Sequence, residues 1–201
     1  MTGDARYRDF ALREFAATTD FLFDAVESLY YRNSRFFEKR DARQRKLFWA
    51  RGNGWVFAAL AKTLADLPPE HPSRPLLLDR YQRMAVALKP IQQADGYWTR
   101  SLLDPAHAPG PESSGTAFFT HAYAWGINNG LLDRAAYTPT ALRAWRFLSE
   151  DALQSDGRLG YVQPIGERAI PGQVVNREST APFGVGAFLL AASEMAQLVA
   201  A

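Results

Sequence analysis

The sequence predicts an all-α chain, an arc of about three helical hairpins within residues 1–201. Three observations carry this. Six stretches show helical spacing of apolar residues. They alternate in character: helices of small apolar residues, such as GVGAFLLAASEMA, follow arginine-studded ones that must face water on one side. And a weak repeat is present. Asp95-Gly96 recurs as Asp156-Gly157, and Gly54 maps onto Gly115, each 61 residues on (156 − 95 and 115 − 54). Gly186 opens a third small-residue helix. Inner and outer helices in alternation describe a toroid of hairpins.

Arg6 to Phe23 reads as the first helix, of the outer type, with Phe10, Leu12, Phe15, Ala16, Thr19, Leu22 and Phe23 on its apolar face and Asp4 as its cap. Phe23 to Phe37 alternates aromatic and polar residues and suits a short extended or hairpin segment. The basic run EKRDARQRK reads as a solvated loop, with a positive rim for an anionic ligand as its functional alternative. Asn53 to Leu67 is the second helix, stopped by Pro68-Pro69. Pro75 sits at the first position of the third, which runs to about Gln93 with Leu78, Tyr81, Met84, Ala85 and Leu88 inward. Asp95-Gly96 turns the chain. Thr116–Asn128, Thr140–Leu153 and Phe183 to the end are the remaining helices. Leu131 to Pro139 reads as a connector, and the stretch with Pro164, Gly166, Pro171 and Gly172 as irregular.

Composition narrows the function. The 201 residues include 47% apolar and 13% aromatic side chains, which suits a packed core. The absence of cysteine excludes disulfides and thiolate metal sites. The net charge of +2 is spread along the chain, and no base-stacking or groove-reading module accompanies it, so nucleic acid is not an expected partner. No stretch reads as long and apolar enough to span a membrane. No leader pattern opens the chain. A cytoplasmic location is expected, the periplasm staying open should the natural start lie upstream of Met1.

Lys46 to Leu60, KLFWARGNGWVFAAL, carries the chemistry. Trp49 and Trp55 flank Arg51, and Gly52-Asn53-Gly54 marks a junction where glycine allows positive φ or close approach of a ligand. Flat aromatics around a forked guanidinium suit a sugar acid. The bland alternative is a helix start with two packed tryptophans and a surface arginine. His121 reads as core, His71 as structural, and His107 as a loop residue near the pocket.

Phe48-Trp49-Ala50-Arg51-Gly52-Asn53-Gly54-Trp55 resembles glycoside hydrolase family 88/105, the unsaturated glucuronyl and rhamnogalacturonyl hydrolases, leaning toward family 105. TGD with Tyr7, LYYRNSRFF, LPPEHPSRP, QQADGYW, PESSGTAFF, YAWGINNGLLDR, DGRLGYVQPIG and FGVGAFLLAASE extend the likeness along the chain. The resemblance implies part of an (α/α)6 six-hairpin barrel. It implies hydration of a Δ4,5-unsaturated uronyl residue from pectin or rhamnogalacturonan breakdown by general acid/base chemistry, with no metal or organic cofactor. It implies that Arg51 binds the uronate carboxylate, that Trp49 and Trp55 line the ring, and that Glu112, Ser113 and Ser114 border the pocket. The alternative for this last group is a helix cap. Arg32 stands near a position where relatives often carry a histidine. Thr180-Ala181-Pro182-Phe183-Gly184 departs from the family's Thr-Glu-x-Tyr-Gly. The family's acid/base aspartate precedes TGD, so no catalytic residue is assigned here; it is expected upstream of Met1, with the first hairpins. The chain is thus expected to be the C-terminal part of one barrel domain, poorly active by itself and prone to self-association. A non-catalytic binding or assembly remnant is the alternative.

Overall fold

A computed structural model describes residues 4–165 and 173–200. Thr2, Gly3, Gly166, Pro171 and Gly172 lie outside the described residues. Six helices carry the fold: α1 (Ala5–Leu22), α2 (Ala50–Asp66), α3 (Arg74–Leu88), α4 (Ser113–Asn128), α5 (Arg134–Arg146) and α6 (Pro182–Ala200). A two-stranded antiparallel hairpin follows α1, with β1 (Phe23–Asp24) paired to β2 (Leu29–Tyr30), Phe23 opposite Tyr30.

The alternation expected from sequence is the architecture. The small-residue helix α4 lies between α2 and α6 and packs on both, while α3 backs α2 and α5 backs α4. Close approach is bought with glycine at one seam: a Cβ on Gly54 would stand 3.0 Å from Phe118 Cβ and 3.4 Å from Gly115 Cα. Two buried tyrosines lock α3 to α4. Tyr81 donates to the Ala122 carbonyl and Tyr123 to the Ala85 carbonyl, each at 2.7 Å. Gly126 leaves the space that the Tyr81 hydroxyl fills. Burial pushes both phenols well above the usual tyrosine range.

Several boundaries differ from the sequence reading. α2 begins at Ala50, three residues before Asn53, because the backbone of Phe48 and Ala50 is held by Leu102 and Arg100: Ala50 N–H donates to Arg100 O and Leu102 N–H to Phe48 O, both at 2.9 Å. α5 begins at Arg134 rather than Thr140. Asp133 caps it by accepting from Ala136 N–H at 2.7 Å, and Pro139 is carried inside the helix. The end of that element, Phe147–Ala152, widens into a π turn closed by Leu153 N–H on Leu148 O. In α3 the buried residue is Leu77, with Leu78 only half-buried, and Phe10 of α1 is exposed. Gly186 has no neighbour within 4 Å of a Cβ; the glycine packed at the start of α6 is Gly184, against Val162. The basic run is only partly solvated. Arg45 donates to Leu103 O at 2.6 Å and pairs with the buried carboxylates of Asp41 and Asp104.

The expectation that no stretch could span a membrane is corrected by α6. Its 19 residues are long and apolar enough by length and composition, and 28% of that window is buried. Its inner face, Gly184, Ala187, Ala191, Met195 and Leu198, is the buried one.

Candidate active site

The start of α2 forms one wall of a cavity of about 420 Å³ lined by Trp49, Arg51, Gly52 and Trp55, with Tyr30, Tyr31, Arg32, Gln163 and Ile165 across it. The volume is in the range of small-ligand sites. Because α2 starts at Ala50, the Arg51–Trp55 stretch is helical. Arg51 and Trp55 stand four positions apart on one face, and Asn53, between them and buried, also borders the cavity.

Asn53 is the fastener. Its Oδ1 accepts from Tyr30 N–H at 2.8 Å, and its Nδ2 donates to Tyr30 O and Trp49 O at 3.1 Å. One buried amide thus fixes β2 against the start of α2. Neither Gly52 nor Gly54 has positive φ, so of the two expected reasons for these glycines that one does not hold. Gly54 serves helix packing. Gly52 has nothing within 4 Å of where a Cβ would stand, and it lies on the cavity wall.

Arg51 is held from three sides. Its Nη1 donates to Gln163 O, its Nη2 to Pro164 O at 3.2 Å, and its guanidinium carbon lies 4.6 Å from the Phe183 ring centroid. Phe183 thus supplies a ring face at the position where the family pattern carries tyrosine. Burial lowers the Arg51 pKa from the usual arginine range, Glu112 pulls it back up, and Arg32 pushes it further down. Two of the five guanidinium donors are on backbone carbonyls. Trp55 is half-exposed, its ring centroid 4.2 Å from that of Phe118. Trp49 is buried, edge-on to Phe36 at 6.2 Å and beside His107 at 6.1 Å.

Glu112 and Ser113 do not reach this cavity surface. Both are fully buried. Glu112 itself caps α4: its carboxylate accepts from the N–H groups of Ser114 and Gly115, from Ser114 Oγ, and from Gln163 N–H at 3.1 Å. Ser113 donates to Gly160 O at 2.6 Å. The cap is the glutamate rather than Ser113 or Ser114. Its role is to pin Gln163, and through that backbone the carbonyl that Arg51 holds. Every contact of the Glu112 carboxylate is an accepting one.

His121 is buried on α4 with Nδ1 3.3 Å from Leu190 O, and His71 Nδ1 accepts from Ser73 N–H at 3.2 Å in the turn before α3. Sequence reasoning missed Gln163, Ile165 and the buried Arg100, which donates to Gln173 O at 2.8 Å. Tyr30 and Tyr31 stand within the LYYRN motif but carry no chemical signal by type. Tyr31 donates to Asp24 Oδ2 at 2.9 Å, and burial with that carboxylate raises its pKa to about 12. Among the described residues no group of three His, Cys, Asp or Glu could hold a metal ion.

The profile of Glycosyl Hydrolase Family 88 matches residues 1–199. The chain belongs to this family. Among curated proteins, this family 88 chain is 39% identical over 195 residues to an unsaturated 3S-rhamnoglycuronyl hydrolase of Alteromonas sp. (strain LOR), across 97% of its own length and 46% of that protein. It spans about half the length of the curated relatives it matches. A solved family 88 glycosyl hydrolase from Bacteroides vulgatus superposes with a TM-score of 0.93 at 47% identity, over 98% of this chain and 57% of that one. A structure described as a polysaccharide lyase superposes at 0.94 with 49% identity, over 100% and 57%. Two structures described as possible members of family 105, from Salmonella enterica and Klebsiella pneumoniae, match at 22% identity and support the fold, an (α/α) barrel, alone.

Proposed function

We propose that this family 88 chain forms the uronate-binding wall of a hydrolase acting on Δ4,5-unsaturated uronyl oligosaccharides. The observation that supports it is the convergence of Trp49, Arg51 and Trp55 on one cavity whose described lining carries two arginines and no carboxylate. A uronate carboxylate matches the guanidinium fork in charge and geometry, and the indole faces match the apolar side of a sugar ring. Arg51 would take the carboxylate with the donors not spent on Gln163 and Pro164. The start of α2 adds its positive helix end to the same space.

The chemistry is hydration. A carboxylic acid delivers a proton to the C4–C5 double bond, water adds at C5, and the resulting hemiketal opens to release the next sugar. Arg51, Trp49 and Trp55 bind and orient; none of them is an acid able to protonate carbon at neutral pH. Glu112 is sealed in its capping role, so no acid is assigned to it. The proposal therefore expects this chain alone to bind an unsaturated uronide with little turnover, the aspartate being carried by sequence upstream of TGD. Apolar flanks on α1 (Tyr7, Phe10, Phe21) and α6 (Val185, Leu189) favour association.

An assay following loss of the ultraviolet absorbance of the double bond tests this. Binding with negligible turnover is the expected result. Turnover on the order of 1 per second by the chain alone would place the acid within these residues. Elimination on an intact uronan, with the absorbance rising, would instead favour lyase chemistry.

A further inference from the structure

α6 is apolar on two opposite faces. Its inner face packs on α4. On the face turned away, Val185, Leu189, Ala192, Ala196 and Val199 recur at steps of four and three, and all but the half-buried Ala192 are exposed. A second apolar stripe along about five turns is the pattern of a helix packed on both sides. Among the described residues this stripe is left uncovered.

The opposite flank of the arc offers a seat. A groove of about 420 Å³ runs between α1 and α2, lined chiefly by Leu12, Phe15, Val56, Ala59 and Leu60. The rest of the chain shows what such a seat takes. α2 lies against α3 and α4, and α4 lies against α5 and α6, so each outer helix and the inner helix after it hold the inner helix before them. α1 and α2 are the same kind of pair, and among the described residues their groove stands open. All three inner helices begin at the cavity end. Arg51 in the first turn of α2 lies over Phe183 at the start of α6, and a Cβ on Gly115 of α4 would stand 2.9 Å from the Ala50 carbonyl carbon. Three pairs are half of a six-hairpin ring. A half-turn about the ring axis therefore carries α6 onto the α1–α2 seat, running in the same sense as α2.

We infer that the α1–α2 groove seats α6 of a second copy of this chain, so that two copies close one ring through two identical contacts. Each contact sets Val185 and Leu189 of one copy against Phe15 and Ala59 of the other. Two-fold closure uses both flanks of both copies, so growth stops at two. A stable dimer buries about 1,000 Å² or more, which asks about 500 Å² of each helix-in-groove contact. Trp55 lines both this groove and the cavity of Arg51. The start of the seated helix thus adds a wall to the proposed uronate site. That consequence rests on the Arg51 reading; the pairing itself does not.

Sedimentation velocity of the whole chain over a concentration series tests the pairing, and a two-copy species is expected. Leu189→Glu and Ala59→Glu, both at exposed positions, keep the far-ultraviolet dichroism and cooperative unfolding of the natural chain. Each weakens pairing more than tenfold, because each puts a carboxylate into an apolar contact twice per dimer. Val26→Glu, exposed on the hairpin away from the seat, leaves pairing unchanged. The two seat variants mixed in equal amounts pair more tightly than either alone, since α6 of the Ala59→Glu copy meets the sound groove of the Leu189→Glu copy. A natural chain that sediments as one copy throughout, growth beyond two copies, a dimer indifferent to Ala59→Glu, or a mixture no tighter than its parts overturns the inference while the Arg51 reading stands. Affinity for an unsaturated uronyl disaccharide, titrated above and below the pairing concentration, differs about threefold or more. Equal affinity overturns the added wall alone, and no binding in either state overturns the Arg51 reading and leaves the pairing to the sedimentation result.

Discussion

The two faces of α2 share one helix turn and have opposite needs. On one face, Gly54 lets Phe118 and Gly115 of α4 close in until no Cβ fits without displacement. On the other, Gly52 borders open space on the cavity wall. In the first case glycine makes contact possible; in the second it keeps contact away. The sealed face continues into Phe57, Ala58 and Ala61, all buried, and the open face into Trp55, half-exposed. The space beside Gly52 lies next to an arginine between two tryptophans.

Substitutions with the same side chain at the two glycines break or sharpen this contrast. Gly54→Leu forces a side chain into the α2–α4 seam and should cost about 3 kcal/mol or prevent folding, read by urea denaturation. Gly52→Leu should leave the denaturation midpoint near or above that of the natural chain, since leaving glycine in a helix gains about 0.5–1 kcal/mol. It should nonetheless weaken binding of an unsaturated uronide more than tenfold. Equal destabilisation by both would mean that the cavity face is packed after all.

Behind the cavity, Glu112→Ala should cost about 2–4 kcal/mol in the same denaturation, because it orphans the N–H groups of Ser114, Gly115 and Gln163 together. Binding should weaken as well, since Gln163 positions Arg51. Were Glu112→Ala fully stable yet defective in binding, Glu112 would belong to the ligand rather than to the fold.

The smallest effect concerns His121, at the far end of the seam between α4 and α6. Burial lowers its pKa below the ordinary value of 6.5, against the pull of the Leu190 carbonyl and Glu194 and with a push from Lys62. Its folded pKa is depressed, so the unfolded chain binds more protons below pH 6.5. The stability tied to neutral His121 is complete above that pH and falls as the pH drops toward the folded value. His121→Gln should flatten the melting temperature between neutral pH and about pH 5. A profile unchanged by the substitution would assign the acid sensitivity elsewhere.

The order of inner and outer helices could be read from sequence because periodicity and residue size are local. The Asp4 cap and the Asp95-Gly96 turn were legible for the same reason. What was not legible depends on partners distant in the chain. α2 starts early because Arg100 and Leu102 pair with its leader. Gly186 and Gly184 look alike in sequence, and only Val162 tells them apart. Glutamate is not a preferred cap type, and Glu112 takes the role because Gln163 N–H joins the two helix amides on its carboxylate. The trio Trp49, Arg51 and Trp55 was visible because it is contiguous. The opposite wall, Tyr30 to Arg32 and Gln163, was visible only as motif context.

The claim that the open face of α2 receives a uronate through Arg51 is tested most directly by a two-by-two titration. The natural chain and Arg51→Gln are each titrated with an unsaturated uronyl disaccharide and with its carboxyl methyl ester. If the guanidinium meets the carboxylate, either change alone weakens binding roughly tenfold or more, as for loss of a charged hydrogen bond of about 1.5–3 kcal/mol. The two together then weaken it hardly further, which is a coupling of that size. Losses that simply add, with no coupling between Arg51 and the carboxylate, would contradict the account.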